Sequence, residues 1–310
     1  MNNQPLHLKC RPPDLKSFVG NESMIKSLSS VISRKEGVPH AILFSGPSGC
    51  GKTTLARILK KGFNCTGKDF TELNAANVRG IDTIREIDRT CRFAPMMSSC
   101  RIFLLDEAHK LTNDAQNALL KLLEDTPSHV YFILCTTEPE KLIKTIRTRC
   151  TTFQVSSLPD RVIVSLLKDV CEEEKVDLPK EALTEIAKIS EGSPRQALVI
   201  LDSVIDIETD EDLLKAIQDY SVRQSAIFDL SNALLAKSKW KDIIKILSSL
   251  DMEPENVRYS ILGIMNSKLM KGENNKASYI IEEFTESFMY SKKAGLSNAC
   301  YRVVVLKKGE

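Results

Sequence analysis

Residues Gly46-Pro-Ser-Gly-Cys-Gly-Lys-Thr53 fit the pattern G-x-x-x-x-G-K-[ST]. Glycines give such a loop the positive φ angles and close approach that let backbone amides converge on phosphate oxygens. The lysine supplies a charge for the β- and γ-phosphates, and the threonine hydroxyl supplies a Mg²⁺ ligand. The following helix points its N-terminus at the phosphates. The expected nucleotide contacts here are Gly46, Pro47, Ser48, Gly49, Cys50, Gly51, Lys52, Thr53 and Thr54.

Short apolar runs alternate with helical patterns in the first half of the chain. Residues 41–44, 101–105 and 130–135 form continuous apolar runs, which are typical of strands buried on both faces of a parallel sheet. Helical patterns lie between them over 53–62 and 114–124. This alternation predicts a doubly wound α/β fold, with a parallel sheet and helices on both of its faces.

Helical patterns replace the strand signals after about Ser156. Prolines between these patterns fit short helix–helix loops. From roughly Ser221 the chain reads as further amphipathic helices without recognisable chemistry, and the simplest role for them is assembly. We therefore expect an α/β P-loop domain over 1–156, a smaller helical domain over 157–212 and an all-α domain over 213–310.

Composition excludes several classes of protein. The 310 residues are 42% hydrophobic and 27% charged, which is ordinary for a globular protein. No apolar run approaches the roughly 18 residues that cross a bilayer, and the N-terminus lacks a secretory layout. The nine cysteines show no C-x-x-C spacing, which argues against a zinc site. A net charge of +2 means that any nucleic-acid contact needs a local basic surface.

Polar side chains follow two of the predicted strands. Asp106 and Glu107 end the run 101–105, where an aspartate can hold Mg²⁺ and a glutamate can polarise an attacking water. Thr136 and Thr137 follow the run 130–135, and the carboxyl ends of strands are where ligands bind in open α/β sheets. We expect His109 to be a packing or coupling residue rather than a metal ligand.

Eight motifs within residues 5–205 occur in the order and approximate spacing of sliding-clamp loader subunits. That family of AAA+ ATPases includes the bacterial DNA polymerase III gamma/tau subunit and the small subunits of replication factor C. The motifs are Lys9-Cys-Arg-Pro12, Phe18-Val-Gly20, the P-loop 46–53, Asp106-Glu107, Asn117-Ala-Leu-Leu-Lys-Leu-Leu-Glu124, Thr136-Thr137, Thr148-Arg-Cys150 and Gly192-Ser-Pro-Arg195. The resemblance implies an AAA+ domain, then a helical lid and a helical C-terminal collar.

The resemblance also implies roles for single residues. Thr137 resembles the first sensor, near the γ-phosphate and the attacking water, and Arg195 resembles the second sensor, reaching from the lid. Arg149 resembles the arginine that this family inserts in trans into the neighbouring subunit's ATP site. Arg11 and Val19 match positions that line the adenine pocket. Catalysis is thus expected to involve Glu107, Lys52, Thr137, Arg149 and Arg195, and Mg²⁺ is expected at Thr53 and Asp106.

The sequence departs from the family pattern at several positions. Cys10 stands where the family usually has tyrosine, Thr148 replaces serine, and Pro194 stands where methionine is common. The zinc insertion of bacterial gamma-type subunits is missing, since only Cys65 remains between the P-loop and the second strand.

DNA contact is expected at the start of a helix near residue 81. The segment 78–85 is similar to the family's DNA-facing helix start, and the candidates are Arg79, Gly80, Ile81 and Arg85. The alternative is a solvated helix face with ordinary ion pairs. By family resemblance, Gln116 is expected to link DNA sensing to Glu107. The alternative interpretation is that Gln116 is a solvent-facing helix residue.

The leading hypothesis is an ATP-driven clamp-loader subunit that uses ATP and Mg²⁺. Its expected partners are other loader subunits, in a pentamer, together with a sliding clamp and primer–template DNA, with no membrane. We expect it in the cytoplasm at the replisome, in the host cytoplasm if viral, or in the nucleus if eukaryotic. The alternatives are another AAA+ motor, such as a branch-migration helicase, and a stator subunit that has lost hydrolysis.

Overall fold

The structure of the protein is a computed structural model that describes residues 4–34, 36–236, 238–250, 252–270, 272 and 274–305, apart from the side chains at 223 and 224. The chain forms two compact units, Met1–Asp210 and Glu211–Glu310. The expected three-domain division, with boundaries at 156 and 212, stays a prediction.

One parallel sheet organises the first unit. Its five strands within the described residues are β1 (Ala41–Ser45), β2 (Phe70–Asn74), β3 (Arg101–Asp106), β4 (Val130–Thr136) and β5 (Thr151–Gln154). Their order is β2-β3-β4-β1-β5, and every pairing is parallel. Because β4 separates β1 from β3, the carboxyl end of β4 lies between the ends of those two strands. The predicted parallel sheet is confirmed.

Helices cover both faces of this sheet. The helices of the first unit are α1 (Leu6–Lys9), α2 (Glu22–Ile32), α3 (Lys52–Gly62), α4 (Ile81–Cys91), α5 (Asn113–Glu124), α6 (Lys144–Arg149), α7 (Asp160–Glu174), α8 (Lys180–Ile189) and α9 (Pro194–Val204). Successive strand residues point to opposite faces. Leu43 and Phe103 therefore share a core with α4 and α5, whereas Ile42 and Leu104 share a core with α2 and α3.

The second unit is helical. It contains α10 (Asp210–Leu235), α11 (Trp240–Ser249), α12 (Pro254–Leu269), α13 (Asn275–Phe284) and α14 (Lys292–Val304). Leu230, Ile261 and Phe284 are fully buried in its core. The buried Arg258 donates to a carboxylate oxygen of Glu255 at 2.6 Å and to the Phe284 carbonyl at 3.2 Å, which ties α12 to the end of α13.

Two further features bear on the excluded classes. All nine cysteines are free thiols, and eight of them are buried, as small apolar side chains commonly are. Within the part of the chain that the structure describes, no helix combines the length and apolarity needed to cross a membrane.

Candidate functional site

A glycine-rich loop joins β1 to α3 at the carboxyl edge of the sheet. Gly49 has a φ of 77°, and a Cβ at this position would lie 2.2 Å from the Ser193 hydroxyl. The amide of Arg195 donates to the Gly49 carbonyl at 3.4 Å. The N-terminus of α9, where Ser193 caps the helix through the Gln196 amide, therefore packs directly on the loop.

Lys52 lies inside the curve of this loop. Its side chain is buried, and its ammonium donates to the carbonyls of Gly46 at 2.9 Å and Pro47 at 2.7 Å. Burial lowers the pKa of Lys52. A buried ammonium needs compensating oxygens, because desolvation of a charge is costly. Phosphate oxygens suit this position better than neutral carbonyls do, since they also carry negative charge.

The first turn of α3 meets the end of β3 through one hydrogen bond. The Thr53 hydroxyl donates to Oδ2 of Asp106 at 2.9 Å. Hydroxyl and carboxylate oxygens are the hard ligands that Mg²⁺ prefers. The two expected magnesium ligands are thus adjacent, and their donor set fits this ion.

Glu107 follows Asp106 and has a left-handed backbone, with a φ of 52°. Its amide donates to Oδ1 of Asp106 at 3.0 Å. Burial raises the pKa of the Glu107 carboxyl, and so does the charge of Asp106. The side chain of Thr137, directly after β4, lies close enough to the Glu107 carboxyl to lower its pKa. The structure therefore brings together two of the residues expected in catalysis.

A cavity opens beside the loop, bounded by the N-terminal segment, the start of α3 and helices α7 and α9. Seven of the expected nucleotide contacts line it, namely Arg11, Val19, Gly49, Cys50, Gly51, Thr54 and Arg195. Burial lowers the pKa of Arg11, and the charges of Arg57 and Arg195 lower it further. The guanidinium groups of Arg11 and Arg195 make this cavity favourable for a polyanion, whereas that of Arg57 pairs with Glu72 at 2.8 Å. Arg57 was not predicted from the sequence, although it lies one turn after Thr53 on α3.

Arg149 ends α6 and lies on the surface. Its guanidinium pairs with the carboxylate of Glu124, on α5, and donates to the Thr145 carbonyl at 3.4 Å. Arg149 is not among the described residues that line the cavity beside Gly49.

The DNA-contact candidates lie where α4 begins. Gly80 is the N-cap of α4, and Ile81 is its first residue. Arg85 pairs with Asp82 at 3.0 Å, and both side chains are exposed. Arg79 donates from Nε to the Ala76 carbonyl at 3.0 Å. This geometry fits either interpretation, since an exposed arginine can meet a phosphate or an ordinary ion-pair partner.

Gln116 is not the solvent-facing residue of the alternative interpretation, because it is only 2% exposed. Its side-chain oxygen accepts the Ile143 amide at 2.9 Å. Its nitrogen donates to the carbonyls of Leu111 at 3.2 Å and Lys141 at 3.4 Å. Gln116 thus fastens α5 to the segment that leads into α6.

Comparisons with known proteins concern the family and the fold of the chain. Residues 67–159 match the family model for the DNA polymerase III delta subunit, and residues 165–205 match the RCF1/5-like AAA+ ATPase lid domain. RuvB of Thermotoga maritima shares the fold. The structure of one of its point mutants has a TM-score of 0.61 and 21% identity, and the match covers 82% of this chain and 85% of that one.

Curated relatives are similar over much of the chain. The DNA polymerase III subunit tau of Bacillus subtilis is 31% identical over 98% of this chain and 55% of its own length. The gamma/tau subunit of Mycobacterium tuberculosis is 37% identical over 64% of this chain, and the match spans only 38% of that relative. The gamma subunit of Buchnera aphidicola from Acyrthosiphon pisum is 30% identical over 84% of this chain and 79% of its own length. With its AAA+ lid and these relatives, the chain belongs to the DNA polymerase III gamma/tau subunit family.

Proposed function

We propose that the chain is an ATP-driven clamp-loader subunit that opens a sliding DNA clamp and loads it onto primer–template DNA. The observation that carries this proposal is the meeting of Lys52, the Thr53–Asp106 pair and the Glu107–Thr137 pair at the ends of three adjacent strands. Family membership supports the choice of loader over other ATP-driven machines.

ATP is the proposed substrate, with Mg²⁺ held by Thr53 and Asp106. The ion would offset negative charge on the phosphates. Lys52 would bind the β- and γ-phosphates, and Arg195 would bind from α9, which packs on the loop. Arg11 and Val19 would border the base, in the cavity that they line with Thr54.

Glu107 is the proposed general base. A carboxylate with a raised pKa accepts a proton more readily than an ordinary one. Thr137, which lies beside this carboxylate, would orient it towards the attacking water. In this scheme the water oxygen bonds to the γ-phosphorus while Glu107 takes a proton from that water. The bond between the γ-phosphorus and the oxygen of the leaving ADP breaks.

Arg149 is the residue proposed to act in trans, in the ATP site of a neighbouring subunit. Its surface position at the end of α6 suits insertion into the ATP site of the next subunit in a pentamer. A guanidinium there offsets charge on the transferred phosphoryl group, an effect that reaches roughly 10³–10⁵ in rate. ATP would then lock adjacent subunits into an assembly that holds the clamp open.

Primer–template DNA is the proposed trigger for hydrolysis. Arg79, Gly80, Ile81 and Arg85 would contact its phosphates, because a helix N-terminus and nearby guanidinium groups both favour anions. Gln116 would relay that contact through the segment before α6. The bacterial relatives support a cytoplasmic location at the replisome.

Two alternatives receive less support. The RuvB likeness, at 21% identity, concerns the fold alone. A stator without hydrolysis would not need the complete set of Lys52, Asp106 and Glu107 that this chain retains.

The test of the proposed function is the Lys52→Ala variant. We expect loss of ATP binding or turnover, because neutral alanine removes the charge that meets the phosphates. Radiolabelled ATP hydrolysis and equilibrium binding of an ATP analogue measure both properties. Lys60→Ala, on the same helix, is the control and should leave both unchanged. Unchanged turnover in Lys52→Ala would remove the P-loop from the mechanism.

A further inference from the structure

His109 lies buried beside the proposed general base. It belongs to a 3₁₀ turn, Ala108–Lys110, that directly follows Glu107, and its side chain is 1% exposed. Its Nδ1 atom lies 2.9 Å from the Thr136 hydroxyl, at the end of β4. A buried imidazole needs partners for both nitrogens, and those partners determine which nitrogen carries the proton.

The carboxylates that face Nε2 can only accept hydrogen bonds, which favours the proton on that nitrogen. The Thr136 hydroxyl oxygen accepts the Glu138 amide at 3.1 Å, so its own hydrogen can be donated to Nδ1 of His109. Burial lowers the pKa of His109, which favours the neutral ring with a single proton. With Nδ1 acting as acceptor, that proton belongs on Nε2.

Nε2 faces two carboxylates. It lies 3.5 Å from Oε2 of Glu107 and 3.4 Å from Oε1 of Glu138. Glu138 also has a cationic partner, the Lys141 ammonium at 2.8 Å. Glu107 is the carboxylate proposed as the base, so its contact with Nε2 is the one that bears on catalysis.

We propose that His109 is a positioning residue whose Nε2–H holds the Glu107 carboxylate in the orientation that activates water. Thr136 holds the imidazole from the other side, so the base is tied to β4, the strand that also precedes Thr137. This inference rests on the proposed ATPase function. It adds a residue that acts on catalysis through Glu107 without touching ATP.

Two substitutions separate this role from simple packing. His109→Gln places an N–H donor near the Nε2 position, whereas His109→Asn keeps a polar group near Nδ1 and lacks a donor at the carboxylates. We expect the Asn variant to lose about 10- to 100-fold in kcat, the effect typical of outer-shell partners, and the Gln variant to recover most of it. The affinity of the full chain for an ATP analogue should stay unchanged in both.

The proposal is tested by the ratio of kcat in His109→Gln to kcat in His109→Asn. A ratio well above one supports the proposal, whereas a ratio of one or less, or a parallel loss of ATP-analogue affinity, overturns it. Thr136→Val, which removes the hydroxyl that meets both Nδ1 of His109 and the Glu138 amide, should also lower kcat, and an unchanged kcat would count against the proposal.

Two controls distinguish this proposal from the function on which it rests. His40→Gln alters a histidine that contacts the Val130 carbonyl, at the opposite end of β4, and should leave kcat unchanged. A loss of kcat in His40→Gln equal to that in His109→Asn would overturn the positioning role. Unimpaired turnover in Lys52→Ala would instead refute the proposed ATPase function itself.

Discussion

Gly46 is a residue at which a side chain cannot be accommodated. Its φ is 147°, and a Cβ would lie 1.9 Å from the Val155 carbonyl oxygen, next to the end of β5. The obstacle is backbone, which cannot rotate away as a flexible side chain could. The motif predicts glycine here because the backbone amides must approach phosphates closely. The structure adds a second reason, since a side chain would collide with the Val155 carbonyl.

The first prediction concerns this position. Gly46→Ala should lower the free energy of unfolding by about 2 kcal/mol or more, because it combines backbone strain with a steric clash. It should also weaken ATP binding, since the loop must move. Gly62→Ala is the control. Its Cβ would meet nothing within 4 Å, and a helical alanine should change the free energy by no more than about 1 kcal/mol. Urea unfolding checks both, and equal effects would contradict the account.

Residue roles could be predicted from the sequence only where a motif defines them. The P-loop pattern and the acidic strand end identify Lys52, Thr53 and Asp106 without coordinates. The burial of Gln116 could not be foreseen, because its partners are backbone groups 5 to 27 residues away along the chain. The same holds for His109, which meets Thr136 only because β3 and β4 are neighbours.

At the scale of elements, the central strands were predictable and the edge strands were not. β1, β3 and β4 are buried along nearly their whole length, so they read as apolar runs. β2 and β5 lie at the two edges of the sheet and are only partly buried, and their sequences include exposed polar residues such as Glu72 and Gln154. Polar edge strands discourage pairing with another chain, but they also remove the hydrophobic signal.

A buried carboxylate organises the loop between α4 and β3. Asp69, which is fully buried, accepts amides from three consecutive residues, Met96 at 2.8 Å, Met97 at 2.7 Å and Ser98 at 2.9 Å. Its other partner is Arg101, at 3.5 Å. Burial raises the pKa of Asp69, but these amide hydrogen bonds outweigh it and lower the pKa to about 2.

The second prediction follows from that depressed pKa. Asp69→Asn should lower the free energy of unfolding by about 3 kcal/mol near neutral pH, because it leaves Arg101 without its buried partner. A carboxyl with a lowered folded-state pKa stabilises the fold above its ordinary value of 3.8. That contribution is lost as the pH falls towards 2. The difference in free energy of unfolding between Asp69→Asn and the wild type should therefore become smaller below about pH 4.

Denaturant unfolding from pH 7 down to pH 3 measures the free energy of unfolding of Asp69→Asn and of the wild type. Asp82→Asn is the control, because the Asp82 side chain is exposed and such pairs contribute about 1 kcal/mol at most. A constant difference for Asp69→Asn across this pH range would contradict the account of the loop.

At the scale of the whole molecule, the site lacks one expected catalytic group. Four of the expected residues lie near the carboxyl ends of the strands, namely Lys52, Glu107, Thr137 and Arg195. Arg149 instead pairs with Glu124 on α5. A second subunit would have to supply the missing guanidinium. The proposed unit that hydrolyses ATP is therefore an assembly rather than the single chain.

The third prediction concerns DNA. Primed DNA with a cognate clamp should stimulate ATP turnover by the assembled complex, and the stimulation should weaken as salt rises, because phosphate contacts release counterions. Arg85→Ala should raise the DNA concentration needed for half-maximal stimulation and lower the salt slope by about 1. Arg92→Ala, at the other end of α4, is the control. No response to primed DNA or clamp would favour another AAA+ role.

The central claim is that Arg149 completes the ATP site of a neighbouring subunit. The most direct measurement compares ATP turnover by assembled complexes that contain Arg149→Ala chains, Lys52→Ala chains, or both. We expect Arg149→Ala chains to bind ATP but to lose roughly 10³-fold or more in turnover. The mixture should regain part of the activity and not all of it, because Lys52→Ala chains still donate Arg149 to a neighbour with an intact P-loop. Turnover at the wild-type rate by Arg149→Ala alone, or no recovery in the mixture, would contradict the claim.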